Sequence, residues 1–123
     1  MASESRILKE VQLALVSVAH ARMFRNNVGM LEDKKGNKVR YGLCVGSSDL
    51  VGWKPITITP DMVGSKVAVF TAVEVKSSTG SIRPEQADFL KTVKDSGGFA
   101  ILARSRDEAL DKLGELIDQW QTK

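Results

Sequence analysis

Val67-Ala-Val-Phe-Thr-Ala-Val-Glu-Val-Lys76 is the stretch on which the fold turns. Its residues are apolar and largely β-branched until Glu74, the pattern of a strand buried on both faces at the centre of a sheet. Glu74 and Lys76 stand two apart on that strand, so both side chains leave by one face, at the end where the apolar run stops. Downstream, Ser77 to Ser81 forms a loop with Gly80, and Pro84 fits the first position of a helix whose apolar face is Phe89, Leu90 and Val93. Gly97-Gly98 ends that helix, Phe99 to Ala103 reads as a short buried strand, and Ser105 with Glu108 is a capping box. The box opens a final helix with Leu110, Leu113, Ile117 and Trp120 on one face.

Upstream, Asp49 to Thr59 reads as a second main strand, entered through Gly46-Ser47-Ser48. Asp33 to Asn37, with Gly36, is a polar turn between segments that pair as a hairpin. Residues 21–27 form a further strand. Ile7, Leu8, Val11, Leu15 and Val18 fall on one side of a helix spanning roughly residues 3–20. Glu4 lies within that apolar arc, whereas Glu10 points about 110° from its centre. The order helix, strands, helix, strand, helix predicts one α/β domain over residues 1–123, with a mixed central sheet flanked by helices.

At 123 residues, with 42% hydrophobic and 27% charged, the chain is long enough for one core and too ordinary in composition for a disordered or fibrous protein. The single cysteine, Cys44, excludes an internal disulfide, and the single histidine, His20, excludes multi-histidine metal sites and most hydrolytic triads. No apolar run is long enough for a transmembrane helix. Leu13 to Ala19 followed by His20-Ala21 imitates a signal-peptide cleavage site. Glu4 and Glu10 deny it the positive flank, so it reads as a retained helix in a reducing, cytoplasm-like compartment. Residues 1–60 carry nine Lys/Arg against five Asp/Glu, a balance of +4, whereas residues 61–123 carry nine against ten. By charge alone the positive excess reads first as solvation of exposed loops, with a polyanionic partner as the other reading.

If the two main strands are neighbours, Asp49, Glu74 and Lys76 converge, and Glu4 completes the cluster. Two carboxylates 4 Å apart repel by about 4 kcal/mol at an effective dielectric near 20. Such a group is stable when it protonates or holds a cation. Oxygen ligands without histidine or thiolate suit Mg²⁺ or Mn²⁺, and a divalent metal beside an ammonium suits phosphodiester hydrolysis. Singly these features are commonplace: Glu-x-Lys ends many exposed strands, and Gly-Ser-Ser-Asp is ordinary turn chemistry. The ordered set is the stronger signal. Arg25, Asn26, Asn27 and Arg40 are candidate contacts to a phosphodiester backbone, and Ser47 and Ser48 candidate donors to a phosphate near the metal, with ordinary loop chemistry as the other reading of each. Trp53, Trp120, Met23, Met30 and Met62 read as packing, and His20 and Cys44 are given no role.

The order Glu, Asp, Glu-x-Lys resembles the PD-(D/E)xK nucleases. Six words resemble the VRR-NUC branch in its phage form: Arg-Asn-Asn-Val-Gly at 25–29, Val-Arg-Tyr-Gly-Leu at 39–43, Gly-Ser-Ser-Asp-Leu at 46–50, Val-Glu-Val-Lys at 73–76, Pro-Glu-Gln at 84–86 and Gly-Gly-Phe-Ala at 97–100. The resemblance implies a restriction-endonuclease-like fold in which Asp49, Glu74 and the Val75 carbonyl bind Mg²⁺ or Mn²⁺. It makes Lys76 the catalytic lysine and Gln86 a glutamine reaching into the site. It favours Glu4 over Glu10 as the helix-one acid, because Ile7, Val11 and Leu15 follow at +3, +7 and +11. It further implies a homodimeric resolvase of Holliday junctions acting on branched double-stranded DNA in a bacterial or phage-infected cytoplasm. Two alternatives remain open, a nuclease of the same fold acting on ends or flaps and a non-catalytic subunit that binds branched DNA. One departure is Arg83, where the family usually has a capping Ser or Thr. This loses a cap worth about 1 kcal/mol.

Overall fold

A computed structural model of the chain describes residues 3–121. The chain falls into two compact units, Met1–Ile56 and Thr57–Lys123. In the first, Ser3 caps a helix α1 (Glu4–Ser17), its Oγ accepting from the Arg6 N–H at 3.2 Å. His20, in the left-handed region at φ 58°, reverses the chain after α1, and the Ala21 N–H bonds back to the Leu15 carbonyl at 2.9 Å. Gln12 Nε2 donates to the Met23 carbonyl at 3.0 Å, which ties α1 to the strand β1 (Arg22–Arg25) that follows. The half-buried side of α1 is therefore Leu8, Gln12 and Leu15, while Ile7 and Val11 are 48% and 42% exposed. That side lies roughly 50° around the helix from Glu4. Glu4, expected on the buried face, is exposed in the first turn, where a carboxylate favours the helix dipole.

Strand β1 pairs antiparallel with β4 (Leu50–Trp53), in the register Arg22↔Trp53 to Arg25↔Leu50. Gly52 makes this approach possible, because a Cβ there would lie 1.7 Å from the Arg22 carbonyl oxygen. The expected strand from Asp49 to Thr59 stops at Trp53. Pro55 has no N–H for a ladder and restricts Lys54 before it. The predicted hairpin forms from β2 (Gly29–Glu32) and β3 (Lys38–Tyr41). At its turn Asp33 Oδ1 accepts from the N–H groups of Asn37 and Lys35 at 2.8 and 2.9 Å, which hold its carboxyl below the usual carboxylate range.

The second unit is built on β5 (Thr71–Val75), which runs parallel to β6 (Phe99–Ala103). The crossover is α2 (Pro84–Asp95), and Gly97 at φ 96° releases the chain from it. A last helix, α3 (Arg106–Gln121), starts as expected with Ser105 Oγ accepting from the Glu108 N–H at 3.0 Å. The Glu108 carboxylate reaches one residue further back than a standard box, to the Arg104 N–H at 3.1 Å. Val93, Phe99, Ile101 and Ala103 are buried, each at 7% exposure or less. The Phe99 ring meets Trp120 at 5.0 Å between centroids, and Lys112 Nζ donates to the Leu102 carbonyl at 2.6 Å, which together fasten α3 to β6.

The sheet differs from expectation. Among the described residues the strands form three two-stranded ladders, β1–β4, β2–β3 and β5–β6, rather than one mixed sheet. The strand expected from Val67 begins only at Thr71, and its Val73 and Val75 are 46% and 71% exposed. Its apolar character therefore serves one covered face here, and the other face is open. Gly52→Ala is expected to destabilise the chain by about 1–3 kcal/mol through its backbone clash. Gly114→Ala, where an added Cβ meets nothing within 4 Å, should stabilise it by about 0.5–1 kcal/mol. Urea titrations of the two variants would check both signs.

Candidate active site

In the second unit the strand period does what the sequence implies. Lys76 Nζ lies 3.2 Å from Glu74 Oε1, with the two side chains 18% and 26% exposed. The Lys76 N–H donates to the Ala103 carbonyl at 3.1 Å, carrying the ladder one residue past β5 and fixing the lysine backbone. Residues 72 and 74 turn toward α2. There Ala72, Glu74, Glu85, Gln86 and Phe89 line a shallow cavity of about 220 Å³. Gln86 thus shares one cavity with Glu74. Its Oε1 also accepts from the Arg83 N–H at 3.0 Å. A guanidinium has no acceptor to offer, so Arg83 leaves the serine half of the capping box unfilled and pairs with Glu85 at 3.3 Å on the surface. In a parallel ladder alternate residues face the neighbouring strand. Because Phe70 and Lys76 bond to β6, the carbonyl of Val75 lies on the other edge of β5.

The first unit holds the other acids. Asp49 is exposed immediately before β4, and its carbonyl accepts from the Asn26 N–H at 2.8 Å, which extends the β1–β4 ladder by one step. Asn26 Nδ2 donates to Ser47 Oγ at 2.7 Å and to the Ser48 carbonyl at 2.9 Å, while its Oδ1 accepts from the Leu43 N–H at 3.1 Å. Ser48 Oγ bonds the Leu50 carbonyl at 2.8 Å, and Arg25 Nη2 bonds Asn27 Oδ1 at 3.2 Å. Arg40 is exposed on β3, opposite Met30. Glu10 is held by Arg6 at 3.2 Å on the surface of α1. Among the described residues, neither unit by itself gathers three His, Cys, Asp or Glu side chains that could hold a metal. The donors that each unit does offer, the carboxylates of Asp49 and Glu74 and the Val75 carbonyl, are hard oxygens of the kind Mg²⁺ and Mn²⁺ prefer.

A Glu and a Lys paired on one strand face, with a glutamine of the next helix lining one cavity with the Glu, is the arrangement that the Glu-x-Lys and Pro-Glu-Gln words lead one to look for. Comparison with protein families matches residues 3–107 to the VRR-NUC domain. The chain belongs to the VRR-NUC domain family. This is a nuclease family that generally acts on DNA. The VRR-NUC match takes in both units and every candidate residue from Glu4 to Gln86, and it ends near the start of α3. None of the curated proteins and none of the solved structures matches the chain. Among the described residues no helix is long and apolar enough to cross a membrane.

One residue of the VRR-NUC site region was not marked by sequence. Arg104 follows β6, and its Nη1 donates to the carbonyls of Ser77 and Gly80 at 2.7 and 2.6 Å, clamping the loop that leaves Lys76. The signal lay in the pairing: Val75 opposes Ala103, so the residue after Ala103 must stand beside the loop after Lys76. Hydrogen bonds from a charged group contribute about 1.5–3 kcal/mol. Arg104→Ala is expected to raise amide exchange across residues 77–80 by about tenfold or more, with β6 still protected. Unchanged exchange in that loop would show that the clamp does not order it.

Proposed function

We propose that this VRR-NUC domain is a metal-dependent endonuclease of PD-(D/E)xK type that hydrolyses DNA phosphodiesters. The observation that carries the reading is the half-buried Glu74–Lys76 pair, 3.2 Å apart on one face of β5, in a chain of a nuclease family. Beside a phosphate Lys76 supplies an ammonium where negative charge builds up.

Asp49, Glu74 and the Val75 carbonyl would hold Mg²⁺ or Mn²⁺, with Glu4 as the acid contributed by α1. When bound, the metal polarises the phosphoryl oxygen and makes its water more acidic. Lys76 orients the attacking water and neutralises charge on the phosphate. Gln86, which lines one cavity with Glu74, positions the same water from the α2 side. Arg25, Asn27 and Arg40 contact the DNA backbone without reading sequence. The substrate is branched double-stranded DNA, a Holliday junction above all. Symmetric cutting of two opposed strands needs two sites related by a two-fold axis, which a homodimer supplies.

Incubating the chain with a synthetic four-way junction and a matched linear duplex, in Mg²⁺ and in EDTA, tests this directly. The expected result is paired nicks in the junction alone and with metal alone. Asp49→Asn and Glu74→Ala should each reduce cleavage by about 10²-fold or more, with junction binding in EDTA unchanged. Cutting of flaps or ends in preference to junctions would replace the substrate and keep the nuclease. Junction binding without cutting in Mg²⁺ or Mn²⁺ would overturn the activity in favour of a non-catalytic accessory role.

A further inference from the structure

We infer that Asn26 is a positioning residue for Asp49, acting on how tightly the protein holds its divalent metal rather than on how tightly it holds DNA. The inference rests on the reading above, in which Asp49 is a metal ligand. Its geometric basis lies wholly within the first unit.

The loop from Gly42 to Asp49 has little apolar burial to anchor it. Leu43 and Val45 are 65% and 72% exposed, and Gly42 and Gly46 adopt φ values of 88° and 85°. A loop without buried side chains takes its shape from hydrogen bonds, and four of these come from Asn26. Its backbone N–H holds the Asp49 carbonyl. Its side-chain amide holds Leu43 at the entry of the loop and Ser47 and Ser48 at the exit. Ser47 in turn closes the loop on itself, its Oγ donating to the Cys44 carbonyl at 2.7 Å. One residue at the end of β1 therefore joins both ends of the loop and sets the backbone from which the Asp49 carboxylate projects.

The same bonds argue against Asn26 as a phosphate contact. An amide NH₂ has two donors, and both are used within the loop. The Leu43 N–H can only donate and the Ser48 carbonyl can only accept, so the amide cannot flip to offer its nitrogen elsewhere. The Ser47 hydroxyl donates to Cys44 and accepts from Asn26, so it too is engaged inside the loop. Residues that orient a metal ligand from behind typically change metal affinity by about 10–100-fold when removed. A phosphate contact instead changes DNA affinity and its salt dependence.

The test is Mn²⁺ binding to the full chain without DNA, followed by calorimetric titration, alongside junction affinity in EDTA over a salt series and thermal melting. Asp49→Asn should abolish Mn²⁺ binding. Asn26→Ala should weaken it by about tenfold or more in a folded protein, raise the Mg²⁺ needed for half-maximal cleavage in step, and leave junction affinity and its salt slope unchanged. Ser47→Ala, which removes one arm of the clasp and spares the β1–β4 ladder, should weaken Mn²⁺ binding in the same direction by a smaller factor, and it decides the matter if Asn26→Ala does not fold. Undiminished Mn²⁺ affinity in a folded Asn26→Ala or Ser47→Ala protein, with Asp49→Asn binding lost, overturns the inference alone. A loss of junction affinity with metal affinity intact makes Asn26 a phosphate contact and overturns it too. Undiminished Mn²⁺ binding in Asp49→Asn overturns the metal-site reading, and the inference with it.

Discussion

Two parallel strands cannot be joined by a tight turn, and this constraint shapes the second unit. The chain must leave β5, cross as α2 and return as β6. The register of that return, Glu74↔Leu102 and Val75↔Ala103, decides what stands next to what. It turns Glu74 toward α2 and Gln86, it holds the Lys76 backbone through Ala103, and it delivers Arg104 to the loop beyond Lys76. A slip of one residue would send Glu74 to the opposite face and break all three relations. The buried residues Val93, Phe99, Ile101 and Ala103 resist such a slip, each large apolar side chain contributing roughly 1.5–3 kcal/mol on burial.

The two candidate loops are held by a different kind of force. Neither the loop before Asp49 nor the one after Lys76 supplies a buried core residue, and each is tied to a neighbouring strand end by a polar side chain, Asn26 in one unit and Arg104 in the other. Hydrogen bonds are directional where apolar contact is not, so they suit a place where a carboxylate or an ammonium must be aimed. Preorganisation of this kind lets a site meet charge as it develops without first rearranging.

The parts legible in the sequence were those governed by local rules. The span of β6, the Pro84 start and glycine end of α2, the Ser105 cap and the Asp33–Asn37 turn each depend on a few adjacent residues. The shared face of Glu74 and Lys76 follows from strand period alone. The resemblance to the VRR-NUC family rested on words spread along the chain, and the match over residues 3–107 bears it out. Expectations that depended on partners fared less well. Helical periodicity placed Glu4 inside the apolar arc of α1, but Gln12 bonding to Met23 turns the Leu8–Leu15 side inward instead. The strand expected from Asp49 runs past Pro55, but a proline ends a ladder and the strand stops at Trp53. Nothing in the neighbours of Asn26 reveals its bonds to a loop 17 to 22 residues away.

The central claim is that the acids of this chain hold a divalent cation beside Lys76. Crystals grown in Mn²⁺ would locate that cation by its anomalous scattering. The expected result is a Mn²⁺ ion held by carboxylate oxygens of Asp49 and Glu74 and by the Val75 carbonyl, with the Lys76 ammonium adjacent. Mn²⁺ bound away from both Asp49 and Glu74, or none bound at saturating concentration, would contradict it.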